Sequence, residues 1–342
     1  MLAGITGKKI LIFGGSGSLG RALIRRWSGH NNLVVVSRDE AKHWTIRNEL
    51  NKSGVIEFRV GDIRDKPRVV NIIRELKPDM VIVAAALKQV DTCELSPEES
   101  IKTNILGVSN VLEACSESAE TLLNLETVLM VSTDKACSPT NVYGMSKAIA
   151  ERLVVSNSRK NDRLRFLGVR YGNVLDSRGS ILPLFKYQAE RMKNFTITHK
   201  EMTRFLMTLD ESIDLIEKAL LMGSSGDFWV PKLRSMRVAD LANIFAERYG
   251  KPIVEIGIRP GEKLHEDLIS ETESLRTRAL ENSLILTPEY SSEGTSPNTW
   301  CYRSNQDLLD EEGLFNFLDG VGVFNKNSSE FMGNSIEEIR TV

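Results

Sequence analysis

Residues 9–20 read Lys-Ile-Leu-Ile-Phe-Gly-Gly-Ser-Gly-Ser-Leu-Gly. The first five predict a short buried strand, and the Ala-, Leu- and Arg-rich segment beyond Gly20 predicts a helix. Between them, glycines let the backbone turn tightly and approach a pyrophosphate, while the following helix directs its free amides at the anion. Gly14, Ser16, Gly17, Ser18, Leu19 and Gly20 are therefore the expected cradle of a dinucleotide.

Outward from this unit, strand-like runs recur at 33–36, 55–60, 80–84, 128–131 and 166–170, with helix-like segments between most of them. Such alternation implies right-handed crossovers and an α/β fold, a Rossmann-type doubly wound parallel sheet covered on both faces. The pattern loosens after residue 171, then returns as a helix over 210–222, a strand at 228–230 and a helix over 238–249. The expected division is a nucleotide-binding Rossmann domain over 1–172, to which 200–230 contribute, and a smaller, partly interleaved substrate-binding part over 173–290. A C-terminal extension over 291–342 opens with a Ser/Gly/Glu-rich linker signal.

Composition narrows the class of function. In 342 residues, 41% hydrophobic content suffices for a large core, and a formal net charge of −2 leaves no broad footprint for nucleic acid or an anionic membrane. Cys93, Cys115, Cys137 and Cys301 are widely spaced and the four histidines are scattered, which argues against a metal site and a disulfide framework. No apolar stretch approaches the ~20 residues of a membrane span, and a strand begins too early to leave room for a signal peptide. The expectation is a cytoplasmic protein.

The second strand ends Val35-Val36-Ser37-Arg38-Asp39, where a ribose-reading residue is expected. An acid at the tip suits a free 2′-hydroxyl, whereas Ser37 and Arg38 offer donors and positive charge to a 2′-phosphate, so NADP is favoured over NAD. In Gly61-Asp62-Ile63, Asp62 is placed to accept from the adenine amino group with Ile63 beside it, and Ala84-Ala85-Ala86 supply a wall of small residues along the cofactor.

Residues 132–147 read Ser-Thr-Asp-Lys-Ala-Cys-Ser-Pro-Thr-Asn-Val-Tyr-Gly-Met-Ser-Lys. They follow the apolar run 128–131, so Thr133, Asp134 and Lys135 stand at the carboxyl end of a strand, where open α/β sheets bind ligands. Tyr143 and Lys147 follow on a helix, and their spacing of four puts both on one face. An ammonium so placed favours the phenolate and lets a group of ordinary pKa ~10 act as a base.

Gly-x-x-Gly-x-x-Gly at 14–20, Ser-Thr-Asp at 132–134 and Tyr-x-x-x-Lys at 143–147 together resemble the extended short-chain dehydrogenase/reductase superfamily. Longer blocks at 37–40, 86–90, 102–104, 132–136, 170–174, 177–180, 202–205 and 258–266 resemble one branch, the inverting UDP-N-acetylglucosamine 4,6-dehydratases of polysaccharide biosynthesis. The chain departs from that branch at Asp91, at Cys137-Ser138 and at His199, all expected near the sugar pocket.

The resemblance implies a hydro-lyase that oxidises C4 of a sugar, removes the C5 proton, expels the C6 hydroxyl and returns the hydride to C6. Tyr143, helped by Lys147, is then the base for the C4 hydroxyl, and Thr133 bonds the same oxygen. Lys135 becomes the candidate base at C5, and Asp134 the acid for the leaving hydroxyl. For Lys135 this asks for a pKa well below its ordinary ~10.4, lowered by desolvation or by Lys147. Asn173, Arg178, Ser180, Arg204 and Arg259 match the positions that hold the diphosphate sugar, Lys88 lies by sugar and cofactor, and Glu262 by the uridine ribose. Asn104 is either a support for Lys147 or a catalytic group. A UDP-sugar is the implied substrate, and a second copy of the chain, in a dimer or hexamer, the implied partner. Two alternatives stand beside this reading: a nucleotide-sugar 4-epimerase, disfavoured by Asp134-Lys135, and a non-enzymatic NADP-binding regulator, disfavoured by the Tyr143/Lys147 pair.

Overall fold

The strand β1 (Lys9–Phe13) is apolar at every position after Lys9, and all four of those side chains are buried. A strand buried on both faces belongs in the interior of a parallel sheet. A computed structural model describes residues 4–50, 56–175, 177, 180–289 and 298–325, and places β1 inside a sheet of nine strands. The others are β2 (Asn32–Ser37), β3 (Ile56–Val60), β4 (Met80–Val83), β5 (Thr127–Val131), β6 (Arg165–Val169), β7 (Phe228–Pro231), β8 (Thr277–Leu280) and β9 (Ser283–Leu286).

Their order is β8-β9-β7-β6-β5-β4-β1-β2-β3. Strands β1 to β7 run parallel, and only the β8–β9 hairpin is antiparallel. This is the doubly wound Rossmann-type sheet that the alternation predicts. The chain winds from β1 outward to β3, then crosses back to β4 on the other side of β1. That reversal opens a crevice at the carboxyl ends of β1 and β4.

The hairpin β8–β9 corrects one expectation. Residues 277–286 fall within the segment expected to form the substrate-binding part, yet Ser283–Leu286 are buried and pair with β7 through Leu286–Phe228 and Leu284–Val230, so they extend the nucleotide sheet. A second core, centred on Leu182, Phe185, Phe195, Phe245, Leu314 and Leu318, lies apart from the first. It is built by helices Ile181–Arg191, Val238–Tyr249 and Glu311–Gly320, so the described part of the C-terminal extension packs there. Phe185, Phe195 and Phe245 meet with ring centroids 5.5 to 5.9 Å apart.

Arg170, immediately after β6, ties the sheet to the segments around the crevice. Its guanidinium is buried and donates to Glu151 at 3.0 and 2.5 Å, to Glu273 at 3.0 and 2.7 Å, and to the Leu268 carbonyl at 2.9 Å. Glu151 also accepts from Ser132 Oγ at 2.6 Å. Burial raises the Glu273 pKa, but Arg170 outweighs it and holds the carboxyl down at about 2.

Replacing Arg170 by leucine strands two buried carboxylates, and a loss of about 3–5 kcal/mol is expected, read from urea denaturation. Because the Glu273 pKa is depressed on folding, its contribution is fully present above its ordinary 4.5 and disappears as pH falls toward about 2. An acid-unfolding curve that is the same with and without Arg170 would contradict this.

Candidate active site

The crevice is a cleft of about 670 Å³. At its floor Gly14 has φ +84°, and a Cβ there would lie 2.5 Å from the Ala85 nitrogen, so only glycine lets the ends of β1 and β4 approach this closely. Gly17 caps the helix Ser18–Trp27 without a side-chain hydrogen bond, which leaves the first-turn amides to an anion. Ser16, Ser18, Leu19 and Gly20 line the same end, and Ala84, Ala85, Ala86 and Ile63 line the wall. A cradle that a Cβ would fill, at uncapped helix amides, fits a pyrophosphate.

At the tip of β2, Ser37 and Arg38 line the cleft. Ser37 Oγ is 2.6 Å from His43 Nε2. Asp39 accepts from the Lys42 backbone at 3.0 Å and pairs with Lys42 Nζ at 2.9 Å, so its carboxylate is committed to the start of helix Glu40–Leu50. Lys42 also lines the cleft. It was not singled out in the sequence, although it stands one helical turn after Arg38. Asp62, expected to accept from adenine, lines the cleft and is also held by Arg64 at 2.8 and 2.7 Å, with Arg38 at 3.8 Å.

Beyond β5 the chain keeps bonding to the far side of β6. Ser132 N donates to Val169 O at 2.7 Å and Asp134 N to Tyr171 O at 3.0 Å, which fixes the turn carrying Thr133, Asp134 and Lys135. Thr133 Oγ1 donates to Asp134 Oδ1 at 2.9 Å. Lys135 Nζ bridges two buried carboxylates, Asp134 Oδ1 at 3.1 Å and Glu266 Oε1 at 3.0 Å. Burial opposes its charge, but the two acids outweigh burial and hold the Lys135 pKa above its ordinary value. This reverses the expectation of a lowered pKa: Asp134, its neighbour in sequence, and Glu266, from a distant segment of the chain, together outweigh burial.

Asp134 goes the other way. Burial, reinforced by Glu266, raises its pKa against the pull of Lys135, while Lys135 and Arg204 overcome burial to keep Glu266 low. Burial thus moves Asp134 toward its protonated form, while Glu266 is held toward the carboxylate that pairs with Lys135. Asp134 Oδ2 is buried with no partner, and it lies 3.4 Å from where a Cβ on Gly172 would stand. Thr133 and Lys135 both donate to Oδ1, which leaves Oδ2 as the oxygen open to a proton.

Tyr143 and Lys147 face the same cleft from helix Val142–Ser158. Burial pushes the Tyr143 phenol up to about 12; Lys135 and a hydrogen bond with Thr133 pull against it. Lys147 Nζ donates to Val131 O at 2.6 Å, and burial lowers its pKa to about 8. The cation acting most on the phenol is therefore Lys135, and the expected Lys147–Tyr143 coupling is secondary. Asn104 is buried and bonds the Leu87 backbone twice, at 2.8 and 2.9 Å, and Ser146 Oγ at 3.0 Å, which clamps the β4 loop to the Tyr143 helix.

A second chamber of about 190 Å³ opens off the cleft. Asn173, Ser180, Arg259 and Glu262 line both spaces, Arg204 lines the second and Lys88 the first. Asn173 Oδ1 is buried without a partner. Arg204 donates to Thr203 O at 2.7 Å and stands 4.0 Å from Glu266. Arg178 lies outside the described residues.

Over residues 10–288 the chain matches the family described as polysaccharide biosynthesis protein. The chain belongs to this family. It is 39% identical over 289 residues to the inverting UDP-N-acetylglucosamine 4,6-dehydratase of Campylobacter jejuni, covering 82% of this chain and 83% of the relative. It is 40% identical over 285 residues to a UDP-glucose 4-epimerase of Rickettsia bellii, covering 80% and 81%. Among solved structures, Pen from Bacillus thuringiensis superposes with a TM-score of 0.85 at 31% identity, over 93% of this chain and 99% of that one. The protein is accordingly an enzyme of the nucleotide-sugar dehydratase/epimerase kind, within the extended short-chain dehydrogenase/reductase superfamily.

Of the three departures from the dehydratase branch of the family, only Asp91 lines the cleft. Cys137 is buried against Glu273, its Sγ donating at 3.3 Å, and His199 accepts from the Glu201 backbone in a turn. Neither lines either chamber, so two of the three lie away from the expected sugar pocket.

The two halves of the site meet at Gly144, where a Cβ would lie 2.2 Å from the Lys135 carbonyl oxygen. Gly144→Ala should push the Tyr143 helix off the Thr133–Lys135 turn and lower turnover on the order of 100-fold, with a lower melting temperature. Unchanged turnover would show that the two elements need not touch.

Proposed function

We propose that the protein is an NADP-dependent, C5-inverting UDP-N-acetylglucosamine 4,6-dehydratase, a hydro-lyase that makes a UDP-6-deoxy-4-keto sugar for surface polysaccharide. The observation that carries this reading is the buried, unpartnered Asp134 Oδ2 on the same turn as Lys135 and across from Tyr143. Elimination needs an acid for the leaving hydroxyl in addition to the groups that serve the C4 oxidation. A 4-epimerase has no use for one. The epimerase reading is supported by the Rickettsia bellii relative and by the resting charge on Lys135, since an ammonium is no base.

For the cofactor, the glycine cradle would hold the pyrophosphate, and Ser37, Arg38 and Lys42 would surround a 2′-phosphate. Asp39, the one acid at the strand tip able to bind a free 2′-hydroxyl, is already committed to Lys42, which supports NADP over NAD. Bound nicotinamide would supply the reversible oxidant for C4. Tyr143, as the phenolate that Lys135 and Thr133 favour, would take the C4 hydroxyl proton, with Thr133 orienting the same oxygen. Asp134 would give the Oδ2 proton to the C6 hydroxyl and recover one from Tyr143 through Thr133 Oγ1, which bonds both groups. Lys135 would exchange the proton at C5, where a carbanion beside a ketone is planar and can be reprotonated on the opposite face. Asn173, Ser180, Arg204, Arg259, Glu262 and Lys88 would hold the UDP-sugar, and Arg178 belongs to the same proposal. No helix among the described residues is long and apolar enough to cross a membrane, in keeping with a cytoplasmic enzyme, which we take to act as a homo-oligomer.

Incubated with UDP-N-acetylglucosamine in heavy water, the protein should release a product lighter by one water, with deuterium at C5 and L-configuration couplings by NMR. Unchanged mass with a new stereocentre would establish the epimerase instead. Asp134→Asn should slow water loss ~10²–10⁴-fold. NADP should bind more tightly than NAD, and Arg38→Asp should reverse the order; equal binding of NAD by the unmodified protein would remove the assignment of the strand tip.

A further inference from the structure

Glu266 lines neither chamber, yet it is 2% exposed and pairs with Lys135 from behind, Oε1 to Nζ at 3.0 Å. Its Oε2 is buried without a partner. The backbone of Glu266 is held independently, its N–H donating to Ser304 Oγ at 2.9 Å and its carbonyl accepting from Ser304 N at 2.8 Å. The carboxylate is therefore not what anchors this segment, and an incompletely satisfied buried charge is a cost that an apolar side chain would avoid. What the carboxylate does is touch the amine. On the dehydratase reading, on which this inference rests, that amine must be neutral when it meets C5, and in the resting site it is an ammonium.

We propose that Glu266 is the proton partner of Lys135: Oε1 accepts the ammonium proton in the substrate complex, and the freed Nζ lone pair takes the proton from C5. In the first transfer the Nζ–H bond breaks, the Oε1–H bond forms and the electron pair stays on nitrogen. The pair goes from two opposite charges to none, so no charge is imported into a buried site. A sugar filling the cleft removes the remaining water from Lys135, the partly exposed member of the pair, and desolvation favours the neutral pair. Nζ then takes the C5 proton, and the C5–H electrons pass toward the C4 ketone. After C6 has been reduced and the planar C5 has turned its opposite face to the amine, Nζ returns a proton to C5 and Oε1 returns its proton to Nζ. Glu266 thus acts through Lys135, as a positioning residue.

The charged and titratable groups facing this pair are Asp134 and Tyr143 on the cleft side, Arg204 with Nε 4.0 Å from Oε1, and Lys263. His265, the neighbour in sequence, has Nδ1 2.9 Å from Thr203 Oγ1. Arg204 and Lys263 favour the carboxylate, so in the resting site the proton stays on Lys135 and the transfer waits for the substrate complex.

The test isolates the base from the acid and the oxidant. The 4-keto product made by the wild-type protein is returned to wild type, Glu266→Gln and Glu266→Asp in heavy water, and C5 exchange is followed by NMR across pH. Gln keeps the size and removes the acceptor. Exchange should fall on the order of 100-fold near neutral pH and recover as pH rises, because hydroxide then takes the proton that Glu266 no longer accepts. Asp, which keeps an acceptor at a longer reach, should lose less and keep the wild-type pH profile, and NADP binding with the melting temperature reports folding. Exchange by Glu266→Gln equal to wild type, or an equal loss at every pH, overturns the inference while leaving dehydration in place. A wild-type protein that releases no water overturns both readings together.

Discussion

A single ammonium, that of Lys135, holds three segments of the chain together at the point where the sheet ends. It is fixed by the turn after β5, faces the Tyr143 helix, and is balanced by Glu266 from a distant segment of the chain. Two carboxylates compete for one ammonium in a dry place, and the surrounding charges push their pKa values apart. Arg204 and Lys263 stand near Glu266 and hold its pKa down, while burial and Glu266 raise that of Asp134. An acid on the cleft side and a carboxylate behind it follow from the placement of two further cations. The same rule operates one residue beyond β6, where Arg170 has enough donors to keep Glu273 ionised.

The parallel sheet was legible because each strand is a compact apolar run and each crossover a helix. The ends of β1 and of helix Val238–Tyr249 coincide with the sequence reading residue for residue. The β8–β9 hairpin was not legible. Thr277 to Leu280 carry an arginine and no clear alternation, and the strand character of this hairpin comes from pairing with β7, a partner far away in sequence. Local pattern reports what a segment can do alone; it does not report an edge that a remote strand completes.

The site divides along the same line. Gly14, Thr133, Asp134, Lys135, Tyr143 and Lys147 were found because their spacing along one strand, turn or helix is itself the signal, and they meet in one cleft. The electrostatics were misread because they are not local. Lys147, four residues from Tyr143, is engaged by the Val131 carbonyl, and the charge nearest in effect to the phenol belongs to Lys135. Glu266 lay within a recognised block but offered no reason to be singled out until the fold brought it behind Lys135. Lys42 had a local signal, one helical turn past Arg38, and its effect is to occupy the acid that made the cofactor choice ambiguous.

The nucleotide end and the chemical end share a clamp. The turn Arg259–Glu262 closes on itself, Arg259 N donating to Glu262 Oε2 at 3.2 Å, and Gly261 O accepts from Thr140 Oγ1 at 3.2 Å and Asn141 Nδ2 at 2.8 Å. Asn141 in turn caps the helix that carries Tyr143, accepting from Gly144 N at 2.8 Å. Gly261, at φ +79°, would place a Cβ 2.9 Å from that of Asn141, so the contact is tight enough to transmit a shift. On the proposed function, a phosphate or ribose drawn against Arg259 and Glu262 would load the start of the Tyr143 helix, which packs on the Thr133–Lys135 turn. Binding energy collected far from the reacting carbons is then available to hold Tyr143 against the sugar, which raises the rate only if that placement is better in the transition state than in the free enzyme. The tight packing of Gly144 on the Lys135 carbonyl is what makes such a displacement matter, because the helix has no room to move without moving the acid and the amine with it.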